Sequence, residues 1–418
     1  MSPKSRGRPP GRGRKKPAHG HSVRELSLSA RVLKDAGLIA DLGEDVALDV
    51  EMWASEWLGE AWLRAPLGER EPEQVLCADV ARRALGRPSR QSLAALGALA
   101  RIAPPDAGEA LENATRSLLA AQVAPGFLRA AGWTPVAGYR AVDVWQSERV
   151  IFVDFDGPNP HTLMASVLDV GGTIVTRLGV LHLGAARAWD NAHDPDDVPM
   201  PLTDHPVDEV LAELAAAMRD TDMIWPRQDD EDFVAFRALT WSRCRDHLPE
   251  WPEWEPIEDD ERARIIDEFV SVSGLADDDV TRSLADLFLD YGDGYIKAGP
   301  LCWSPGSVML FMGDWLPRKA ALDAEQRTHL PEVLRHWVRF ALDRQGVPQR
   351  WIEPVVDEVD ASLPDFEEAF DDESAWGPAK SVVAELTARG VDLTDRAALD
   401  EAIRALNAEN LARRLLEE

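Results

Sequence analysis

Apolar residues recur at three- and four-residue spacing over the first third of the chain, beginning near residue 22. In "VEMWASEWLGEAWL" the apolar positions include Met52, Trp53, Trp57 and Trp62. "EQVLCADVARRAL", "QSLAALGALARI" and "AGEALENATRSLLAA" repeat the pattern, and Gly and Pro separate them. Because this spacing is typical of amphipathic helices, the sequence predicts a helical region over residues 21–135.

The hydrophobic period changes in the next part of the chain. "ERVIFVDFDG", "HTLMASVLDV" and "TIVTRLGVLHLG" are rich in β-branched residues and partly alternate, as strands do. Gly171 and Gly172 separate the second segment from the third and suit a two-residue hairpin turn. The sequence therefore predicts an antiparallel β-meander over residues 136–190, with an early strand near "GYRAVDVW".

Residues 191–206 are rich in Pro and Asp, which predicts a loop. Helical spacing then returns in segments such as "VDEVLAELAAAM" and "LPEVLRHWVRFAL", so residues 207–418 are predicted to be a helical C-terminal region. The expected fold class is α+β and mostly α-helical. It combines a helical N-terminal region, a small antiparallel sheet and a larger helical C-terminal region.

The charge is distributed very unevenly. The formal net charge is −29, yet residues 1–16 contain seven basic residues and no acid, so the rest of the chain carries −36. Residues 1–20 are mainly Gly, Pro and basic residues, which bury little apolar surface, and we expect a disordered basic tail. The acidic body repels nucleic acid and anionic membrane, so any DNA contact is expected in the tail.

Composition narrows the class of protein further. The sequence has no apolar run of eighteen residues, and no apolar segment follows the basic start as in a signal peptide. The three cysteines are far apart and form no CxxC pair, so buried, reduced thiols are expected. These features predict a soluble, cytoplasmic protein without a membrane partner. Association with the nucleoid is the alternative location.

The tail contains the string "RGRPPGRGRKK". Its Arg-Gly-Arg-Pro core resembles an AT-hook, a short motif that binds the DNA minor groove. Over A·T tracts that groove is narrow and strongly negative, which attracts arginine, and a glycine lets the backbone lie deep in it. The resemblance implies DNA as a partner, with a preference for A·T-rich sequence. The predicted DNA-binding residues are Arg6, Gly7, Arg8, Pro9, Arg12, Gly13, Arg14, Lys15 and Lys16.

Three alternatives for the tail stay open. The second Arg12-Gly13-Arg14 lacks a following proline, so the motif is not a tandem hook. The alternatives to an AT-hook are a tail that binds any polyanion, a solvated leader, and a tail that lies on the acidic body of its own chain.

One string in the body suggests catalysis. "VIFVDFDG" resembles the first motif of haloacid-dehalogenase-type phosphohydrolases, which would make Asp154 a nucleophile and Asp156 an acid or base beside Mg²⁺. That fold needs a parallel strand–helix unit, whereas a hairpin is predicted here, and Pro158 stands where the family has Thr. We therefore predict no catalytic residue, cofactor or metal, and Asp154 and Asp156 stay as the candidates of the alternative. The loop "WDNAHDPDD" offers oxygen ligands but matches no calcium loop.

Fifteen tryptophans are many for 418 residues, and some are candidates for recognition, since Trp is favoured at binding hot spots. "WPEWEP" is one such segment. In "WSPGSVMLFMGDWLPRK", Ser304 and Pro305 suit a helix start. The residues predicted here to bind a protein partner are Trp303, Asp314, Trp315, Arg318 and Lys319.

The body, in "ERVIFVDFDGPNPHTLMASVLDVGG" and "WSPGSVMLFMGDWLPRK", also resembles a group of actinobacterial proteins of unknown function, which implies no activity. Three hypotheses follow. The first is a non-enzymatic protein, tethered to DNA by its tail, whose acidic body is an interaction module. The second is a Mg²⁺-dependent phosphohydrolase centred on Asp154 and Asp156. The third is an interaction module with an incidental tail.

Overall fold

The computed structural model describes residues 26–372, apart from 70, 121, 193, 195 and 196, together with residues 377, 380, 386, 389 and 404. The predicted basic tail, with all nine of its proposed DNA-binding residues, lies outside the described residues, as does most of the chain after 372. Within the described part the protein is α+β and mostly α-helical, as the sequence predicts.

Five helices form the N-terminal region. They are α1 (Leu28–Asp35), α2 (Ala47–Arg64), α3 (Pro72–Gly86), α4 (Arg90–Ile102) and α5 (Pro105–Leu119). Helix α4 begins with a side-chain cap, in which the Ser89 side chain accepts a hydrogen bond from the Ser92 N–H (3.0 Å), whereas α3 and α5 begin with proline in the first turn. Their apolar faces meet in one core around Leu58, Val80 and Leu96.

A five-stranded antiparallel sheet follows. Its strands are β1 (Thr134–Val142), β2 (Glu148–Asp156), β3 (His161–Asp169), β4 (Thr173–Leu181) and β5 (Leu202–His205), in the order β4-β3-β2-β1-β5. The turn between β3 and β4 lies at Gly171 and Gly172, and Gly171 has φ +67°, a conformation that favours glycine. The predicted meander is confirmed.

The structure differs from expectation after β4. Helix α6 (Ala185–Ala192) begins inside the predicted meander, and β5 lies inside the predicted loop 191–206. Strand β5 has four residues and pairs with β1 alone, at the edge of the sheet. Short edge strands are common in natural sheets, but four residues beside prolines are too few to show an alternating pattern.

The two faces of the sheet meet different partners. The inner face, with Ile151, Val153 and Phe155 of β2, packs on α7 (Val207–Asp222) and α8 (Glu231–Cys244). The outer face, with Val150 and Phe152, packs on α6. This alternation follows from the two-residue period of a strand.

The C-terminal helices surround an aromatic core. They are α9 (Asp259–Ser273), α10 (Asp279–Tyr295), α11 (Pro305–Leu310), α12 (Leu316–Lys319), α13 (Ala324–Arg344), α14 (Gln349–Ala361) and α15 (Leu363–Asp371). A π-helical turn (Phe311–Trp315) joins α11 to α12. The core contains Phe288 and Trp337, whose rings lie 5.8 Å apart. Trp145 links this core to the sheet, because its Nε1 donates to the Trp351 carbonyl (2.9 Å).

Helix α8 joins the N-terminal helices to the sheet. Its Leu239 packs in the N-terminal core, whereas its Phe233 packs under the sheet. The helix crosses α2 at Gly59, where an added Cβ would lie 1.9 Å from the Val234 carbonyl oxygen. A side chain at Gly59 would therefore push the two helices apart.

A buried charge cluster ties the same layers together. Glu51 of α2 accepts hydrogen bonds from Arg101 Nε (2.7 Å) and Trp133 Nε1 (2.8 Å). Arg243 of α8 donates to the same carboxylate. Groups from α2, α4, α8 and the segment before β1 thus meet at one buried glutamate.

The cysteines agree with the sequence-based prediction. Cys77, Cys244 and Cys302 are all free and buried, and burial raises the pKa of the Cys77 thiol to about 12. The neutral thiols serve as small apolar side chains.

The close crossing of α2 and α8 is testable with two glycine substitutions. We expect Gly59→Ala to destabilise the protein by about 1–3 kcal/mol, as overpacking does. Gly108→Ala on α5 is the matched control, because nothing lies within 4 Å of its added Cβ. There alanine should stabilise the helix by roughly 0.5–1 kcal/mol. Denaturant midpoints measure both effects, and equal midpoints would contradict the close crossing.

Candidate functional site

Asp154 and Asp156 lie on the outer side of β2 near its end. Asp154 Oδ1 accepts hydrogen bonds from the Thr162 hydroxyl and the Ala185 N–H (3.1 Å). Asp156 Oδ1 accepts from the Gly157 N–H (2.8 Å). Both carboxylates line a cavity of about 300 Å³. The structure thus brings the two predicted acids to one cavity, each already engaged by local donors.

The arrangement around them differs from the phosphohydrolase pattern. Strand β2 pairs antiparallel with both β1 and β3, whereas that pattern needs a parallel strand–helix unit. The phosphohydrolase pattern also needs a lysine later in the chain, and the first lysine after Asp154, Lys297, donates to Thr173 (3.1 Å) at the start of β4. Thr162, beside Asp154, pairs with Leu181 at the opposite end of β4, eight residues or about 26 Å away. Lys297 is therefore too far from Asp154 to take part in a site with it.

Besides the exposed His182, the cavity is lined by the buried His161. Its ring stacks on Phe155 (5.2 Å between centroids), and Nδ1 lies 3.0 Å from the Asn159 carbonyl oxygen. Burial lowers the pKa of His161, so the ring is neutral at pH 7. Within the described residues no group of three His, Cys, Asp or Glu side chains could hold a metal ion. His193 and Asp196 of "WDNAHDPDD" lie outside that set.

The predicted partner-binding segment divides into buried and exposed residues. Trp303 is fully buried against Phe288 and Phe311, so its side chain cannot contact a partner in this structure. Its apolar surroundings in sequence do not distinguish a core tryptophan from a surface one. Ser304 caps α11 as predicted.

The rest of that segment is more accessible. Arg318 Nη1 donates to Asp314 Oδ2 (2.9 Å), as their spacing predicts, and both side chains are about half exposed. Lys319 is also exposed, and Trp315 is half-buried. The side chains available to a partner here are therefore Asp314, Arg318 and Lys319.

A larger cavity lies between the N-terminal helices and α8, where sequence analysis indicates no site. It has a volume of about 420 Å³. We call it the Trp62 cavity. Its walls come from the end of α2, the first turns of α3 and α5, the end of α7, and α8. Among the residues that line it are Trp62, Glu73, Asp222, Arg227, Arg237 and Trp241.

Arg237 forms the floor of the Trp62 cavity. Its Nε and Nη2 donate to the two oxygens of Asp222 (2.8 and 2.6 Å), and Nη1 donates to Glu73. Burial lowers the pKa of Arg237, but Asp222 and Glu73 raise it by more, so the guanidinium stays charged. Trp241 Nε1 also donates to Asp222 (2.9 Å). The floor is thus a rigid, hydrogen-bonded network.

An indole stacked against guanidinium groups forms one wall. The Arg237 and Arg227 guanidinium carbons lie 4.4 and 5.1 Å from the Trp62 ring centroid. Arg227 also lies 5.6 Å from the ring of Trp225, an exposed indole. Such contacts are favourable because the ring face is negative. The cavity therefore already holds cationic groups against its aromatic wall.

The rim of the cavity is acidic. Glu69, Glu71 and Asp106 line it and are exposed. Glu71 precedes α3 with φ +57°, a conformation that is rare outside glycine. With Glu73 and Asp222, five carboxylates face three arginines (Arg227, Arg237 and Arg245). Carboxylates thus outnumber arginines among the described residues that line the cavity, which favours a cationic ligand; Arg70, between Glu69 and Glu71 in the sequence, lies outside that set.

Part of this site has a local signal in the sequence. Arg237, Trp241 and Arg245 follow at four-residue steps, which places them on one face of α8 and the turn after it. Their partners Trp62, Glu73 and Asp222 come from distant segments, so nothing local indicates that they meet.

Two tryptophans of "WPEWEP" are exposed. Trp251 and Trp254 are 58% and 68% exposed. Arg219 of α7 lies 3.6 Å from the Trp251 ring centroid and donates to the Pro249 carbonyl (2.9 Å). The segment is therefore held against α7 with its indoles accessible, as a recognition surface requires.

Comparison with known proteins adds no relative. The chain matches no protein-family model, no curated protein and no solved structure. The resemblances of the tail and body strings therefore stay predictions. Among the described helices, none is both long enough and apolar enough to cross a membrane.

The floor network makes a prediction about stability. Asp222→Ala leaves the buried Arg237 with one carboxylate and the Trp241 N–H without its acceptor. We expect a loss of about 3–5 kcal/mol, as for one partner removed from a buried pair. Asp314→Ala breaks the exposed pair with Arg318 and should cost less than about 1 kcal/mol. Urea denaturation separates the two, and similar losses would contradict a buried network.

Proposed function

We propose that the protein is a DNA-associated, non-enzymatic protein whose basic tail contacts DNA and whose acidic body is an interaction module. The observation that carries this proposal is the partition of charge. Seven basic residues lie in the first sixteen positions, against −36 for the rest of the chain. A duplex is attracted to the tail and repelled by the body.

The internal pairing of the body's arginines supports the proposal. Arginines in all three regions lie within ion-pair distance of carboxylates, so their charge is compensated where they stand. Examples are Arg31–Glu60, Arg237–Asp222, Arg149–Glu213, Arg262–Asp286 and Arg335–Asp360. Lysine is scarce as well: three of the seven lysines in the chain are Lys4, Lys15 and Lys16.

The exposed indoles support the second half of the proposal. Three glutamates, Glu250, Glu253 and Glu255, flank Trp251 and Trp254 in the sequence. This combination of indoles and carboxylates suits a partner with an apolar, basic surface. The cavity at Asp154 has antiparallel strands and no described group of three metal-ligating side chains. The geometry thus favours binding over phosphate hydrolysis.

The tail is tested by fluorescence anisotropy of the full chain on an A·T-rich and a G·C-rich duplex across a salt series. If about seven phosphate contacts form, log affinity should fall with log salt with a slope near −6. Arg6→Gln with Arg8→Gln removes the core arginines and should abolish the preference for the A·T duplex. Arg12→Gln with Arg14→Gln is matched in charge. This variant should bind both duplexes more weakly by the same factor, and the slope of log affinity against log salt should become smaller by about 2.

Two outcomes would contradict the proposal. Absence of binding to either duplex at about 50 mM salt would overturn DNA association. Equal affinity of the unaltered chain for both duplexes would overturn the A·T preference and leave general polyanion binding.

A further inference from the structure

The rim of the Trp62 cavity carries three exposed carboxylates, and Arg70, which stands between two of them in the sequence, lies outside the described residues. Glu69, Glu71 and Asp106 are exposed, and no ion pair engages them within the described part of the chain. The neighbouring Arg31 and Arg64, by contrast, share Glu60 (2.9 and 2.5 Å). The rim therefore offers carboxylates to a cation from outside the folded body.

The interior of the cavity suits a guanidinium group. Glu73 is 8% exposed, and its Oε1 accepts from Arg237, while Oε2 has no hydrogen bond among the described residues. Trp241 supplies an aromatic wall beside Trp62, which is 4% exposed and already stacked with two arginines. A planar cation pairs well with carboxylates and stacks on indoles, as Arg227 and Arg237 already do on Trp62.

The basic tail joins the body close to this cavity. Helix α1 packs on α3, where Ser29 Oγ donates to Asp79 (2.6 Å). Glu73 lies six residues before Asp79 on α3, which is about 9 Å along the helix axis. Nine residues separate Lys16 from Leu26 and span up to about 30 Å. The tail is thus long enough to reach the rim, and a short tether gives it a millimolar effective concentration.

We propose that the Trp62 cavity is a binding site for guanidinium groups and that its occupant is the tail of the same chain, residues 4–16. The tail arginines bind between the acidic rim and the indoles when DNA is absent. DNA competes for the same arginines and leaves the cavity open. This inference rests on the proposed DNA contact for its regulatory consequence, but the docking itself does not require DNA.

Competition sets the size of the expected effect. A tail that is docked nine-tenths of the time lowers the apparent DNA affinity about tenfold. Salt weakens both contacts, because both depend on exposed charges.

The test neutralises the rim in the full chain with Glu69→Gln, Glu71→Gln and Asp106→Asn. The matched control removes three exposed acids from the C-terminal helices, with Glu332→Gln, Asp357→Asn and Glu368→Gln. All six side chains are exposed, so both variants should keep the fold, which thermal unfolding checks.

The first measurement needs no DNA. Trypsin cleaves after the tail arginines, and docking shields them. We expect the rim variant to release tail fragments several times faster than the unaltered chain, and the control variant to match the unaltered chain. Equal rates in all three proteins would overturn the docking. Equal acceleration in both variants would indicate diffuse attraction to the acidic surface and would overturn the assignment to this cavity.

The second measurement is anisotropy on the A·T-rich duplex at low salt. We expect the rim variant to bind about tenfold more tightly than the control variant if docking reaches nine-tenths occupancy. Tail shielding without any DNA binding would leave the docking standing and refute the proposed function. Equal DNA affinities of the two variants would refute the competition.

Discussion

Arginines of α8 and of the turn after it enter the interior of the protein, and each meets groups from another layer. Arg237 binds Asp222 of α7 and Glu73 of α3, and Arg243 binds Glu51 of α2. Arg245 donates to the carbonyls of Ile102 and Ala103 at the end of α4 (2.7 and 2.8 Å). A buried arginine without these partners would be costly. The position of α8 therefore depends on all of these contacts together. Because α8 packs on both the N-terminal helices and the sheet, the arrangement of these two layers depends on α8 in turn.

This internal use of arginine has a consequence for the outer surface. Arginines that pair inside the protein are not available to the surface, where carboxylates such as Glu69, Glu71 and Asp106 are exposed. The basic tail then has two acidic partners, the DNA backbone and its own body. In our proposal, arginine–carboxylate pairing holds the body together, and the same kind of pairing holds the tail in the Trp62 cavity when no DNA is bound.

Local patterns predict the fold well and the site poorly. The alternation in β2 and the Gly171–Gly172 turn predict the meander, and helical spacing predicts the two helical regions. Strand β5 is too short to show a period. The sequence makes Trp303 a candidate contact, whereas the structure places it in the core; hydrophobicity alone does not tell a contact tryptophan from a core tryptophan. The Trp62 cavity needs Glu73, Asp222 and Arg237, which are brought together by tertiary packing.

The central claim is that one basic segment binds alternately to DNA and to the acidic rim. Zero-length carbodiimide cross-linking of the full chain, read out by mass spectrometry, tests it directly, since Lys15 and Lys16 supply the amines. The account predicts amide links from these lysines to Glu69, Glu71 or Asp106 that disappear when an A·T-rich duplex is added. Links spread evenly over the acidic surface, or rim links that persist with saturating DNA, would contradict it.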